Sequence, residues 1–297
     1  MSERWILAAA ALAVTGWVAR FRPPPADPAF TTALADTFAL LGPEPRPVGS
    51  AAHARARVAL GRALREAGGS VTELDATVCG RWGRCARVHD LVARFGPPGP
   101  AIALVAHYDT VAAAPGAADD GAGVAAALDV ARRIGDAPPA RGVWVVLTDA
   151  EELGLLGARA WVQTAPDVAA VVNLEARGTA GPSLLFETTG APGPLVARFA
   201  RVARRPFTSS LFDAVYELLP NDTDLTELAA LGVPGYNLAF IGRPLDYHTP
   251  GDAPDRLSVD SAAHQAGNAR ALVDAWVADP GPAATAGGAV WFDLFGA

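Results

Sequence analysis

Two short apolar runs, each ending in histidine or carboxylate residues, constrain this chain more than any other feature. The first, AIALVAHYDT, closes on His107 and Asp109; the second, GVWVVLTDAEELG, closes on Glu151 and Glu152. Between them lies GAADDGAGVAAALDVARRI, small and apolar residues at helical spacing behind Asp119 and Asp120. Such α/β units expose their ligand crevice at the carboxyl ends of the strands, where all of these polar residues fall.

The same alternation runs on. SVTELDATV and ARVHDLVARFG read as strands, and further apolar runs cover Ala101–Ala106, Val143–Thr148, Ala169–Leu174 and Ser183–Glu187. Helical segments fall at Gly121–Ile134 and Leu153–Val162, GVPGYNLAFI is a late strand and SAAHQAGNARALVDAWV a closing helix. GSAAHARARVALGRALREAGG is an earlier helix, with Ser50 as N-cap and Gly68-Gly69 as its stop. This order predicts a sheet with helices on both faces. With 51% hydrophobic and 19% charged residues, the chain can bury a full core and is not a disordered one.

Net charge is −7, and no basic run exceeds isolated Arg pairs, which argues against nucleic-acid binding. Cys79 and Cys85 have only His89 nearby, too few donors for a zinc knuckle. A disulfide-closed loop in an oxidising compartment is the preferred reading, free thiols in a hairpin the alternative. Trp5–Ala19 is an apolar run short for a spanning helix and suited to a signal sequence, with an uncleaved anchor equally open. Arg20 and Arg22 after the run weigh against an outward C-terminal side, and the expected disulfide weighs for it. The expected organisation is a signal peptide or anchor over 1–22, a Pro-rich linker over 23–29, and one extracytoplasmic, membrane-tethered domain over 30–297.

His107 and Asp109 are two apart at a strand end and so share a face, with Asp109 suited to receive the second ring N–H of a metal-bound His107. Alone, such a pair is ordinary. An acidic pair at a helix start is expected from the macrodipole, yet a carboxylate in a glycine-flanked turn can also bridge two cations. Asp119 is assigned to bridging and Asp120 to capping. Adjacent Glu151 and Glu152 repel unless a cation divides their work, Glu152 as ligand and Glu151 as base toward a water. A solvated acidic helix start is the plainer alternative. Glu175 ends another strand, and His248 stands beside Tyr247 in PLDYHTPGD. His53 and His264 occupy polar helix positions that suggest solvated surface residues, and His89 reads as structural.

Taken together, AHYDTV, PGAADDGAG, TDAEELGLLGA, NLEARG, NDTDL and YHTPGD followed by DRLS resemble the di-zinc exopeptidases of the aminopeptidase Y and transferrin-receptor-like family. They look closest to the branch containing vacuolar membrane protease and endoplasmic-reticulum metallopeptidase. The resemblance runs from about Phe30 onward. It implies a three-layer α/β/α sandwich around a mixed, mostly parallel sheet. It also implies two zinc ions, His107 and Glu175 on one, Glu152 and His248 on the other, Asp119 bridging, and a cis Asp119–Asp120 bond. By the same resemblance Glu151 is general base and acid, Tyr247 steadies the oxyanion, and Asp109 orients His107. The implied substrates are peptides with a free N-terminus. Many relatives carry Asp where Glu175 stands, which alters the room beside the site. NDTDLTEL is expected to form a cleft wall capped by Asn221 or Asp222, with catalysis by Asp222 a weaker alternative.

Competing readings are a single-zinc glutaminyl cyclase of the same fold, another amide hydrolase such as a deacylase, and a non-catalytic receptor-like member. The cyclase predicts loss of part of the two-metal set, and the receptor loss of ligands and base; here every one of those positions is filled.

Overall fold

A computed structural model describes residues 22–81, 83–211 and 222–281. The apolar run Trp5–Ala19 and Asn221 lie outside these residues. Among the described residues no helix is long and apolar enough to cross a membrane.

Helices α1 (Pro28–Leu41) and α2 (Ala51–Glu66) lead into the antiparallel hairpin β1 (Ser70–Cys79) and β2 (Cys85–Phe95). Then follow β3 (Ala101–His107), α3 (Gly121–Asp136), β4 (Val143–Thr148), α4 (Leu156–Gln163) and β5 (Val168–Ala176). The remainder is β6 (Leu184–Thr189), α5 (Pro192–Val202), α6 (Asp224–Leu228), β7 (Gly235–Phe240) and α7 (Val259–Ala278). The sequence periodicity identifies most of these within a few residues. It does not single out α1, which starts at Pro28 behind an Asp27 N-cap, or α5, whose first turn also carries proline. In both, proline preorganises the helix rather than breaking the chain.

The strands form one seven-stranded sheet in the order β1-β2-β4-β3-β5-β7-β6. Its centre, β4-β3-β5-β7, is parallel, and the outer pairings are antiparallel. The central strands read as unbroken apolar runs because both of their faces are covered. Ile102, Leu104 and Ala106 of β3 pack on one face with Leu60 of α2, Val124 and Leu128 of α3 and Leu272 of α7. Ala103 and Val105 face the other side with Trp161 of α4 and Leu225 and Leu228 of α6. The three-layer α/β/α expectation with a mixed sheet is the architecture observed. Each fully buried Val, Leu or Ile contributes about 1.5–3 kcal/mol of apolar transfer, and such residues, with alanines between them, fill the parallel core.

Ser50 caps α2 by accepting from the His53 N–H, as the sequence suggests. Cys79 and Cys85 form a disulfide across the β1–β2 turn, which settles the thiol question in favour of the bridge. Neither His53 nor His264 is solvated. His53 is 4% exposed, stacks on Tyr108 and bonds Asp149 at 2.7 Å; His264 is 2% exposed and accepts from the Ser183 N–H. Both helices are covered on a face that looks polar in sequence, because hydrogen-bonded partners from distant strands satisfy the rings.

The first turn of α4 packs so closely on β2 and the β4–α4 turn that a Cβ on Gly157 would strike the Asp90 carboxylate and the backbone of Asp149. Gly157→Ala is therefore expected to destabilise the chain by about 1–3 kcal/mol in urea unfolding, as overpacking does. An unchanged midpoint would contradict this packing.

Candidate metal centre

Four strands deliver the site at one edge of the sheet. β3 ends on His107; β4 ends at Thr148, one short turn before Glu151 and Glu152; β5 carries Glu175 beside its last residue. After β7 the chain loops to Tyr247 and His248. Two groups of side chains could each hold a cation, His107–Asp119–Glu175 and Asp119–Glu152–His248, with the donor atoms of each group within 4.8 Å of one another. Asp119 belongs to both. Its Oδ1 lies 3.3 Å from His107 Nε2 and its Oδ2 lies 3.2 Å from His248 Nε2. His248 Nε2 is also 3.1 Å from Glu152, and His107 Nε2 is 3.8 Å from Glu175.

Backbone geometry places these groups. The Asp119–Asp120 peptide bond is cis, in agreement with the family resemblance. Asp120 then caps α3 by accepting from the Gly123 N–H, the part that the sequence reading gives it. Gly116 sits at φ 66°, where a Cβ would collide with Thr110 and with the Asp119 carbonyl, so the turn before Asp119 requires glycine. Ala150 and His248 hold φ 59° and 58°, unusual for side chains with a Cβ and typical of strain kept at functional sites.

Several supporting residues escape the sequence reading. Asp252, in the YHTPGD segment, accepts from the Ala118 and Asp119 N–H groups at 2.6 and 3.1 Å, tying the His248 loop to the Asp119 turn. Arg46 is 1% exposed and donates to the carbonyls of Tyr108, Pro115 and Gly116, bracing that turn from beneath. Burial lowers its pKa to about 10 against the pull of Asp109 and Asp252, which leaves it a cation. Asp149 accepts from His53 and from the His89 N–H, and Asp90 accepts from the Asp149 N–H. Asp252 sits in a conspicuous motif; Arg46 carries no local signal, since its partners lie 62 to 70 residues away.

Two expectations change in detail. Asp109 lies beside His107, but the better contact from His107 Nδ1 is to the Asp109 main-chain oxygen at 3.2 Å, with the carboxylate at 3.5 Å. The Asp109 carboxylate instead receives the N–H groups of Glu151 and Glu152, so it orders the backbone of both glutamates as well as lying beside the imidazole. Asp222 does not cap α6: Thr223 takes that position, and Asp222 is exposed beside Arg81. The buried acid of that segment is Asp224, bonded to Thr148 and pushed up to about 6 by burial.

The electrostatics follow from crowding acids in a dry pocket. Burial pushes Glu151 and Glu175 well above the usual carboxylate range, and Glu152 above it. For Asp119 burial acts in the same direction, but the two imidazoles outweigh it and hold its pKa low. Burial disfavours protonated His248, yet Asp119 and Glu152 raise its pKa to about 9. Burial and the surrounding carboxylates raise the Tyr247 phenol and keep it a donor. His248 Nε2 is buried without an aligned hydrogen bond although two carboxylates flank it. A nitrogen and carboxylate oxygens converging without satisfying one another fit a cation between them, and a borderline set of imidazole and carboxylate suits zinc.

Residues 90–273 match the model of Peptidase family M28. Endoplasmic reticulum metallopeptidase 1 of Mus musculus is 32% identical over 209 residues, covering 66% of this chain and 23% of that protein. The chain thus spans about a fifth of the length of the curated relatives it matches. A leucine aminopeptidase precursor from Bacteroides thetaiotaomicron superposes with TM-score 0.70 at 19% identity, covering 85% of this chain and 98% of the other. Porphyromonas gingivalis glutaminyl cyclase superposes with TM-score 0.69 at 20% identity, covering 82% and 97%. These likenesses establish a shared fold.

With a pKa of about 9, His248 is protonated at neutral pH in the metal-free protein, and a cation must displace that proton. Zinc titration by calorimetry in buffers of differing ionisation enthalpy should therefore record proton release. Affinity should rise with pH up to about 9 as the His248 proton is lost, with Glu152 and Glu175, also raised by burial, adding to the protons displaced. Binding without proton release would contradict the assignment of His248 as a ligand.

Proposed function

The chain belongs to peptidase family M28, and from that premise we propose that it is a zinc-dependent aminopeptidase removing N-terminal residues from peptides. The observation that carries this reading is the carboxylate of Asp119, common to two complete donor groups. In this reading His107, Glu175 and Asp119 would hold one zinc ion, and Glu152, His248 and Asp119 would hold a second. Bound zinc supplies Lewis acidity, which lowers the pKa of a water and polarises a carbonyl.

The protein's own groups do the rest. Glu151 takes a proton from the water whose oxygen attacks the peptide carbonyl, and passes it to the amine nitrogen as the C–N bond breaks. Burial raises the affinity of its carboxylate for that proton. Tyr247 remains protonated and donates to the carbonyl oxygen as charge develops there. Asp109 fixes the backbone that carries Glu151 and Glu152. Asp252 and Arg46 fix the turn that carries Asp119. The acidic lining draws a substrate's free ammonium into the site.

We assign the peptidase domain to residues 30–297. The Cys79–Cys85 disulfide supports an extracytoplasmic location, and the apolar run Trp5–Ala19 supports export or membrane tethering. A single-zinc glutaminyl cyclase shares the fold, but both donor groups of this chain are complete, which favours the hydrolase.

Zinc-loaded protein is expected to release 4-nitroaniline from aminoacyl-4-nitroanilides and to lose that activity with a chelator. Glu151→Gln should lower kcat by about a hundredfold or more with zinc content unchanged. Metal-loaded protein inactive on unblocked peptides, or an E151Q variant retaining activity, would overturn the reading.

A further inference from the structure

Arg177 stands two residues beyond Glu175, where its N–H extends the β5–β7 ladder by bonding the Phe240 carbonyl at 3.0 Å. Its side chain is exposed, with the guanidinium 5.2 Å from the centre of the Tyr247 ring. Tyr247 in turn stacks on His248 at 3.7 Å, so one aromatic ring separates this cation from a candidate ligand. Several other arginines are paired: Arg87 with Asp75, Arg159 with Glu227, Arg256 with Asp246 and Arg270 with Asp129. Among the described residues the Arg177 guanidinium has no hydrogen-bond or ion-pair acceptor, although a single aromatic ring separates it from His248 and the carboxylates flanking that imidazole. It is held on the phenol face with its fork of N–H donors open to solvent.

A negative floor with a free guanidinium on its rim complements a zwitterion. The floor attracts an ammonium, and a guanidinium presents paired donors in the geometry a carboxylate accepts. We propose that Arg177 binds a carboxylate of the substrate on the leaving-group side of the scissile bond, and so selects for short peptides ending close to that bond or carrying an acidic residue there. An extended chain advances about 3.3–3.6 Å per residue, so a rim one ring from the centre is within reach of a di- or tripeptide terminus. This inference rests on the peptidase reading for its substrate but not for the carboxylate contact itself. The terminal carboxylate and an acidic side chain share the same chemistry.

The test compares zinc-loaded full-length protein and its Arg177→Gln variant on leucyl-alanine, leucyl-alaninamide and leucyl-glutamate α-amide, whose one carboxylate is on the side chain. The protein should prefer a carboxylate-bearing peptide over leucyl-alaninamide by about tenfold or more in kcat/KM, chiefly through KM. R177Q should abolish that preference while leaving the alaninamide rate unchanged. Which acid is favoured identifies the terminus or the side chain as the source. Equal rates for acids and amide in the native protein would overturn the proposal. So would equal losses on all three substrates in R177Q, which would mean that Arg177 acts by holding Tyr247. If nothing is hydrolysed, the peptidase reading fails, and NMR titration of the metal-free protein with leucyl-alanine and leucyl-alaninamide still decides. Tighter binding of the acid that R177Q removes supports the contact, and equal binding overturns it.

Discussion

Like charges crowded into a dry pocket are the constraint around which this molecule is organised. His107, Asp109, Asp119, Asp120, Glu175 and Asp224 are all buried at one sheet edge, with Glu151 and Glu152 half-buried beside them. A buried, unpaired charge costs several kcal/mol, so each acid must find a donor, take up a proton or face a cation. The supporting acids find donors. Asp109 takes the N–H groups of Glu151 and Glu152, Asp120 that of Gly123, Asp252 those of Ala118 and Asp119, and Asp149 that of His89 with His53 behind it. What remains is the Glu151 carboxylate, together with Asp119, Glu152 and Glu175 facing two imidazoles, a set that an added cation would satisfy.

The sheet makes that crowding possible. Four parallel strands bring their carboxyl ends together, and a core filled on both faces anchors them. Loops from different strands are then locked to one another, the His248 loop to the Asp119 turn through Asp252, and the β4–α4 turn to β2 through Asp149 and Asp90. Arg46 adds a buried cation that contacts only carbonyl oxygens and leaves the carboxylates free for the site.

Much of this is legible in the chain because local signals carry it. Apolar runs ending in His107, Glu151 or Glu175 mark both strand and crevice, and Asp120 has the spacing of a helix cap. What escapes is set by long-range pairing. Nothing near Arg46 or His53 announces burial, since the groups that satisfy them come from the segments that follow β3 and β4. His264 looks solvated for the same reason, its partners being backbone groups of residues 183, 204 and 205. In NDTDL the choice among three polar neighbours depends on where α6 begins, and Thr223 takes the N-cap, leaving Asp224 buried.

The proposed zinc site turns on one carboxylate, Asp119, serving two cations. Anomalous diffraction at the zinc edge from crystals of the zinc-loaded protein tests this most directly. The account predicts two zinc peaks flanking Asp119, separated by about 3.5–4 Å as in other two-metal hydrolytic sites. A single peak at full occupancy, with Asp119 on one ion alone, would contradict it and point instead to single-metal chemistry on this fold.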